Sequence, residues 1–179
     1  NAVMRNITRE EDKYKKIFND SLKIPKWLLD RWKTNWPNDY LSFIDCIQDI
    51  HPHIDIAIKK DIEKWQKKLN AQLLPNDVLR IKESGLISEK EGYDNGQWWV
   101  QDYSSQIAVK AFNIKKNEEI LDLCAAPGGK TAQMMAAGAN VLSIDQSKIR
   151  IKKFKDNMQR LKFNAKILEI DILKYNPNR

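Results

Sequence analysis

The chain has 179 residues, 42% of them hydrophobic and six of them tryptophan, enough for one ordinary domain or two small ones with a buried core. Its 31 basic and 24 acidic side chains leave a formal charge of +7, which favours polyanionic partners without naming one. Only Cys46 and Cys124 occur, without metal-ligand spacing, no apolar run approaches the roughly 18 residues that span a bilayer, and the opening NAVMR lacks the apolar core of a signal peptide. No disulfide framework, metal site or membrane segment is expected, and a reducing cytoplasm is the natural compartment.

Residues 1–50 read as a helical segment in which Ile17, Leu22, Trp27, Leu28 and Trp32 are set among charged residues, with Pro25 and Pro37 dividing it into short helices. Residues 51–101 read as a small α/β subdomain. Its strand IDIAI covers Ile54 to Ile58, a helix runs from Asp61 to Leu73 on Ile62, Trp65 and Leu69, and Val78 to Ile81 is a further strand. Glu89 to Gly96 reads as an exposed loop, and Trp98 to Gln101 as a strand.

From Asp102 the alternation becomes regular. Asp102 caps a helix whose apolar face is Ile107, Ala108, Ala111 and Phe112. Strands follow at Ile120 to Leu123, Val141 to Ile144 and Ala165 to Ile170. Between them lie helices at Thr131 to Ala137 and after Ser147, the latter carrying Ile151, Phe154, Met158 and Leu161 at intervals of three and four. The βαβαβ order implies a parallel, right-handed half-sheet with ligand sites at the carboxyl ends of its strands. Residues 102–179 are therefore expected to be the N-terminal part of a Rossmann-like α/β domain, truncated at its C-terminal end.

The segment Leu121 to Thr131, LDLCAAPGGKT, sits between the first strand and the first helix of that alternation. Small residues there let a ligand approach the backbone, and a helix N-terminus offers free amides to a carboxylate or phosphate; a plain tight turn is the competing reading. Gly129-Lys130-Thr131 matches the end of a phosphate-binding P-loop, but that motif needs glycine at position 124, where Cys124 stands, and G-x-G-x-x-G is absent. Asp145 ends the second strand and Asp171 follows the third, both on the edge that carries the turn. A carboxylate in the first position suits the two hydroxyls of a ribose, and one in the second can face an adenine. A strand-to-helix cap is the alternative for each.

These residues resemble the Fmu/Sun, RsmB-type family of ribosomal RNA cytosine-5 methyltransferases. LDLCAAPGGKT matches its S-adenosylmethionine motif. VQD at Val100 to Asp102 with Gln106, and SIDQSKIR at Ser143 to Arg150 with Asn157 and Arg160-Leu161, match as well. NAVMR and PKWLLDRW, at Pro25 to Trp32, are similar to the stretch between the family's helical RNA-binding module and its catalytic domain. The resemblance runs nearly end to end, dense from Gly96 onward and thin between Ile50 and Gly92.

It implies a Rossmann-like methyltransferase in which Cys124, Ala125, Ala126, Pro127, Gly128, Gly129 and Lys130 cradle the methionine end of S-adenosylmethionine. Asp145 then holds the ribose and Asp171 the adenine side, with Arg150 a further candidate whose alternative is an ordinary surface charge. Family members use a cysteine thiolate to attack carbon 6 of an unstacked cytosine, which activates carbon 5 for methylation. The family carries that cysteine in D-A-P-C and T-C-S stretches downstream of Arg179, so no catalytic residue is assigned in this chain. Cys124 is expected to be a small buried thiol in the cofactor turn and Cys46 a core residue. Ribosomal RNA is the partner the resemblance implies; the basic residues Lys13, Lys15, Lys16, Lys23 and Lys26, and Lys148, Arg150, Lys152, Lys153 and Lys155, read either as solvated helix faces or as RNA contacts. The alternative is a non-catalytic RNA-binding or assembly protein that retains the fold.

Overall fold

The computed structural model describes residues 2–14, 24–48, 53–82 and 85–177, in two compact units, Asn1–Pro52 and His53–Arg179. The first unit is helical: α1 spans Ala2–Arg9, α2 Lys26–Asn35 and α3 Tyr40–Gln48. Pro25 precedes α2 and Pro37 lies in the turn before α3, as a residue without an amide donor should. Trp32 and Trp36 meet the ring of Phe43 edge-on, at 5.8 and 5.9 Å between centroids. Trp27 stays 64% exposed with the Arg31 guanidinium 5.8 Å from its ring. Cys46 is exposed rather than a core residue, because α3 turns Phe43 and Ile44 inward and leaves Cys46 on its flank. Ile17, Leu22, Lys15, Lys16 and Lys23 lie outside the described residues.

The second unit holds two sheets. β1 (Ile54–Ile58), β2 (Gln72–Leu74), β3 (Val78–Ile81) and β4 (Trp98–Val100) form an antiparallel sheet in the order β2-β3-β1-β4. α4 is shorter than the sequence pattern proposes, Ile62–Lys68 instead of Asp61 to Leu73. Asn70 adopts a positive φ that ends the helix, and Gln72–Leu74 becomes β2, turning into β3 through Asn76 and Asp77, also at positive φ. Asn and Asp tolerate that conformation better than other side chains, so the reversal had a local signature.

Adjacent residues of a strand point to opposite faces, and this sheet uses both. Ile56 and Trp98 pack with Trp65 and Leu69 of the α4 segment, whereas Ala57 and Trp99 pack with Ala125, Ala126, Phe154 and Met158. The neighbouring tryptophans thus hold one sheet between two cores. The stretch 89–96, read as an exposed loop, is partly built in: Gly92 and Gly96 are buried. At Gly96, φ +66 and the backbone of Arg160 and Leu161 together exclude a side chain. The Arg160 guanidinium donates to the carbonyls of Tyr93 and Trp98 and stands 3.9 Å over the Tyr93 ring. Its burial lowers its pKa.

The parallel sheet runs β5 (Glu119–Leu123), β6 (Asn140–Asp145), β7 (Lys166–Glu169) in that spatial order. α6 (Gly129–Ala136) and α7 (Lys148–Arg160) are the crossovers, and Ile151, Phe154, Met158 and Leu161 are all buried, as their spacing requires. This is the expected Rossmann-like α/β arrangement. β5 has a neighbour on one side only and leaves Leu121 and Leu123 partly exposed. α5 (Tyr103–Lys110) begins at Asp102, whose carboxylate accepts the amides of Ser104 and Ser105. Its inward face differs from the expected one: Gln106 and Val109 are buried, while Ala108, Ala111 and Phe112 are exposed. The reason is that α5 packs against α6 and β1, with Val109 meeting Met134 and Val141, and Phe112 falls in the turn beyond its last residue.

Asp55 of β1 lies opposite Arg80 of β3 and accepts two hydrogen bonds from its guanidinium, at 2.7 and 3.0 Å. The same carboxylate accepts the amide of Tyr103 at 3.1 Å, so one buried charge joins the antiparallel sheet to the start of α5. Removing one partner of a buried ion pair strands the other in a poor environment. Asp55→Ala is expected to cost about 3 kcal/mol in urea unfolding, against about 1 kcal/mol for the exposed helix cap Asp102→Ala.

Candidate cofactor-binding site

Beyond Leu123 the chain leaves β5 through Cys124 at φ +60, a cis Ala126–Pro127 bond and Gly128 at φ +104, and enters α6 at Gly129. A Cβ on Gly128 would collide with Met158 and Phe154, so the turn sits flat on α7. Gly128 offers α6 no side-chain cap, and the first amides of a helix have no intrahelical acceptor. These amides, Gln101, Asp102, Asp122, Cys124 and Lys130 surround a cavity of about 270 Å³ at the carboxyl end of β5. Cys124 is exposed there, correcting the expectation of a buried thiol: the positive φ breaks the strand alternation and turns its side chain outward.

Asp145 ends β6, as its position in the sequence suggests, and it also takes part in the strand-to-helix junction. Its side chain is 0% exposed, and its carboxylate accepts the amides of Ala126 at 3.2 Å and Ser147 at 2.9 Å. Arg150, about half exposed, covers it with an ion pair at 2.9 Å. Asp145 is thus a clasp between the glycine turn and the start of α7. Asp171 caps a short 3₁₀ turn, Ile172–Lys174, by accepting the Leu173 amide, while the preceding Ile170 amide reaches the Asp145 carbonyl. The structure therefore gathers Cys124 to Pro127, Gly129 and Lys130 round one cavity, turns Gly128 towards α7, sets Asp145 and Arg150 behind the turn, and puts Asp171 just beyond β7.

Two residues given no role by the sequence reading stand in the cavity wall, Asp122 and Gln101. Asp122 is an acid between two leucines of β5, which is a readable signal. Burial raises its carboxyl above the ordinary value, while a 2.5 Å hydrogen bond donated by Thr131 and the charge of Lys130 act in the opposite direction. A group with a raised folded-state pKa binds its proton more tightly in the native state. Its contribution to stability is present at low pH and is lost as pH rises through that pKa. The melting-temperature gap between wild type and Asp122→Asn is therefore expected to move in favour of the variant as pH rises from the ordinary carboxylate pKa upward. A gap independent of pH would contradict this.

Residues 109–178 match the family described as 16S rRNA methyltransferase RsmB/F. The chain is similar to ribosomal RNA small subunit methyltransferase B of Erwinia tasmaniensis, 32% identical over 96% of this chain and 43% of that protein. It is equally similar to the same protein of Yersinia enterocolitica, 32% identical over 93% of this chain and 42% of the other. The chain thus spans under half the length of the curated relatives it matches. Among solved structures, that of PH0851 superposes with a TM-score of 0.72 at 26% identity, covering 84% of this chain and 37% of that one. A methyltransferase homolog protein from Pyrococcus horikoshii has the same fold, with a TM-score of 0.69 at 22% identity, covering 85% of this chain and 54% of the other. No helix among the described residues is long and apolar enough to cross a membrane. Residues 109–178 are thus a segment of the RsmB/F methyltransferase family.

Proposed function

We propose that this chain binds S-adenosylmethionine at the glycine turn and works as the cofactor-binding and RNA-contacting part of a ribosomal RNA cytosine-5 methyltransferase. The observation that carries the reading is the cavity at the end of β5, where uncapped helix amides lie beside a partly buried Asp122. A zwitterionic amino-acid end fits that donor set: its carboxylate suits the first-turn amides of α6, and its ammonium suits Asp122. S-adenosylmethionine supplies an electrophilic methyl group on a sulfonium centre. The chain's own residues bind and orient it: positions 124–130 hold the amino-acid end, Asp145 the ribose, and Asp171 the adenine side. Because Arg150 covers Asp145, its guanidinium moves aside when the ribose hydroxyls arrive. Residues 102–179 are the cofactor domain in this reading, residues 51–101 the small subdomain behind it, and residues 1–50 an RNA-contacting helical segment.

Titration calorimetry tests the cofactor assignment. S-adenosylmethionine is expected to bind, and Asp145→Ala to weaken it by about 1 to 3 kcal/mol as hydrogen bonds to a charged acceptor are lost. Unchanged affinity, or ATP bound more tightly than S-adenosylmethionine, overturns the assignment.

RNA contact rests on the family and on charge. Lys148, Lys152 and Lys155 recur at i, i+4 and i+7 and share one exposed face of α7. Binding to a ribosomal RNA fragment is expected to fall steeply with salt. Lys152→Ala with Lys155→Ala is expected to reduce the slope of log affinity against log salt by about 1.5, the share of two phosphate contacts. An unaltered slope in a filter-binding titration removes this face from the RNA surface.

A further inference from the structure

Gln101 stands between β4 and the Asp102 cap and is only 6% exposed, and Gln106, five residues on, is 1% exposed. Buried amides need partners, and these find one another in a closed circuit. The Gln101 side chain donates to the Gln133 side-chain oxygen at 2.7 Å, and Gln133 donates to the Gln106 carbonyl at 3.0 Å. Gln106 donates in turn to the Gln101 carbonyl at 2.8 Å. The indole N–H of Trp99 feeds the circuit, reaching the Gln101 side-chain oxygen at 2.7 Å and the Gly129 carbonyl at 3.2 Å.

The circuit is aimed at one place. Gly129 is the first residue of α6 and Gln133 lies one turn further on the same face. The Gln101 side chain packs directly on Gly129, at ordinary contact distance from where a Cβ there would sit. Gln101 also shares the cavity wall with Gly129, Lys130 and Asp122. We propose that Gln101, held by Trp99, Gln106 and Gln133, is the positioning residue that sets the first turn of α6 for the amino-acid end of the cofactor. A helix end with exposed amides and no side-chain cap has no local device to fix its direction, and the circuit supplies that from outside. This rests on the cofactor reading above and adds to it a residue that acts through α6 rather than by a bond to the ligand.

The consequence is selective. An altered first turn of α6 affects a ligand that carries the amino-acid end and spares one that lacks it. The experiment measures the affinity of the full chain for S-adenosylhomocysteine and for 5′-methylthioadenosine, which keeps the nucleoside alone. In Gln101→Met, which preserves length and packing, affinity for S-adenosylhomocysteine is expected to fall about tenfold, the scale of one well-placed hydrogen bond. Affinity for 5′-methylthioadenosine is expected to hold. Gln133→Met removes the acceptor of the Gln101 amide at similar length and leaves the Trp99 ring in place, so it reports in the same direction should Gln101→Met fail to fold. The Trp99 indole N–H resonance, assigned by its loss in Trp99→Phe, is expected to move upfield in Gln101→Met as its shorter acceptor disappears. Equal loss for both ligands with unfolding still cooperative, or no loss for either, overturns the positioning role while the cofactor site stands. Failure of the wild-type chain to bind either ligand overturns both.

Discussion

Burying an indole obliges the protein to supply an acceptor for its N–H, and at Trp99 that obligation ties the antiparallel sheet to the glycine turn. The ring lies among Ala125, Ala126, Phe154 and Met158, so the cofactor turn and α7 are packed against β4 by the same residue that is hydrogen-bonded to Gly129. Trp98, one residue earlier, faces the α4 side and closes the other core. Two adjacent residues thereby couple the small sheet to both of its neighbours. Asp55 adds a polar link, since its carboxylate joins β1, β3 and the first amide of α5.

Three carboxylates near the site meet three environments, and the differences are chemically useful. Asp145 is fully buried, yet two backbone amides and a guanidinium offset its charge. Asp102 is exposed, and its own cap, chiefly the Ser104 hydroxyl, holds its pKa below the ordinary value. Asp122 has a single hydroxyl donor and a raised pKa, so it gains most from an added cation. A ligand with an ammonium group therefore meets a carboxylate whose charge is under-compensated, beside amides that want an anion.

Much of this was legible along the chain. β1, β3, β4, the three parallel strands and α7 follow from alternation and from apolar spacing, because each buries a face whose period is intrinsic to its backbone. The glycine turn was legible because small residues between a strand and a helix have few other uses. What failed, failed where contacts beyond the segment decided the outcome. The pattern Ile62, Trp65, Leu69 continues a helix, but positive φ at Asn70 and pairing with β3 made Gln72–Leu74 a strand. Ile107, Ala108 and Phe112 form a plausible apolar stripe, yet α5 turned Gln106 and Val109 inward to meet α6. Gln106 is the instructive case, a polar residue buried because two other glutamines complete its hydrogen bonds.

The sequence by itself determined the alternation of strands and helices from Asp102 onward, the place of the glycine turn and the family resemblance, since these depend on local periodicity and on a motif eleven residues long. Only the tertiary structure decided that Asp145 is a buried clasp under Arg150, that Cys124 faces outward, and that Gln101, Gln106 and Gln133 close on one another. The physical reason is that a polar side chain takes its role from which donors and acceptors reach it. In a parallel sheet those partners come from segments 19 to 32 residues away, as Ala126 is from Asp145 and Gln133 from Gln101. Apolar periodicity records which face of a segment is buried, and hydrogen-bond partnership records which segments meet. The first is written in each stretch of chain, and the second exists only once the chain has folded.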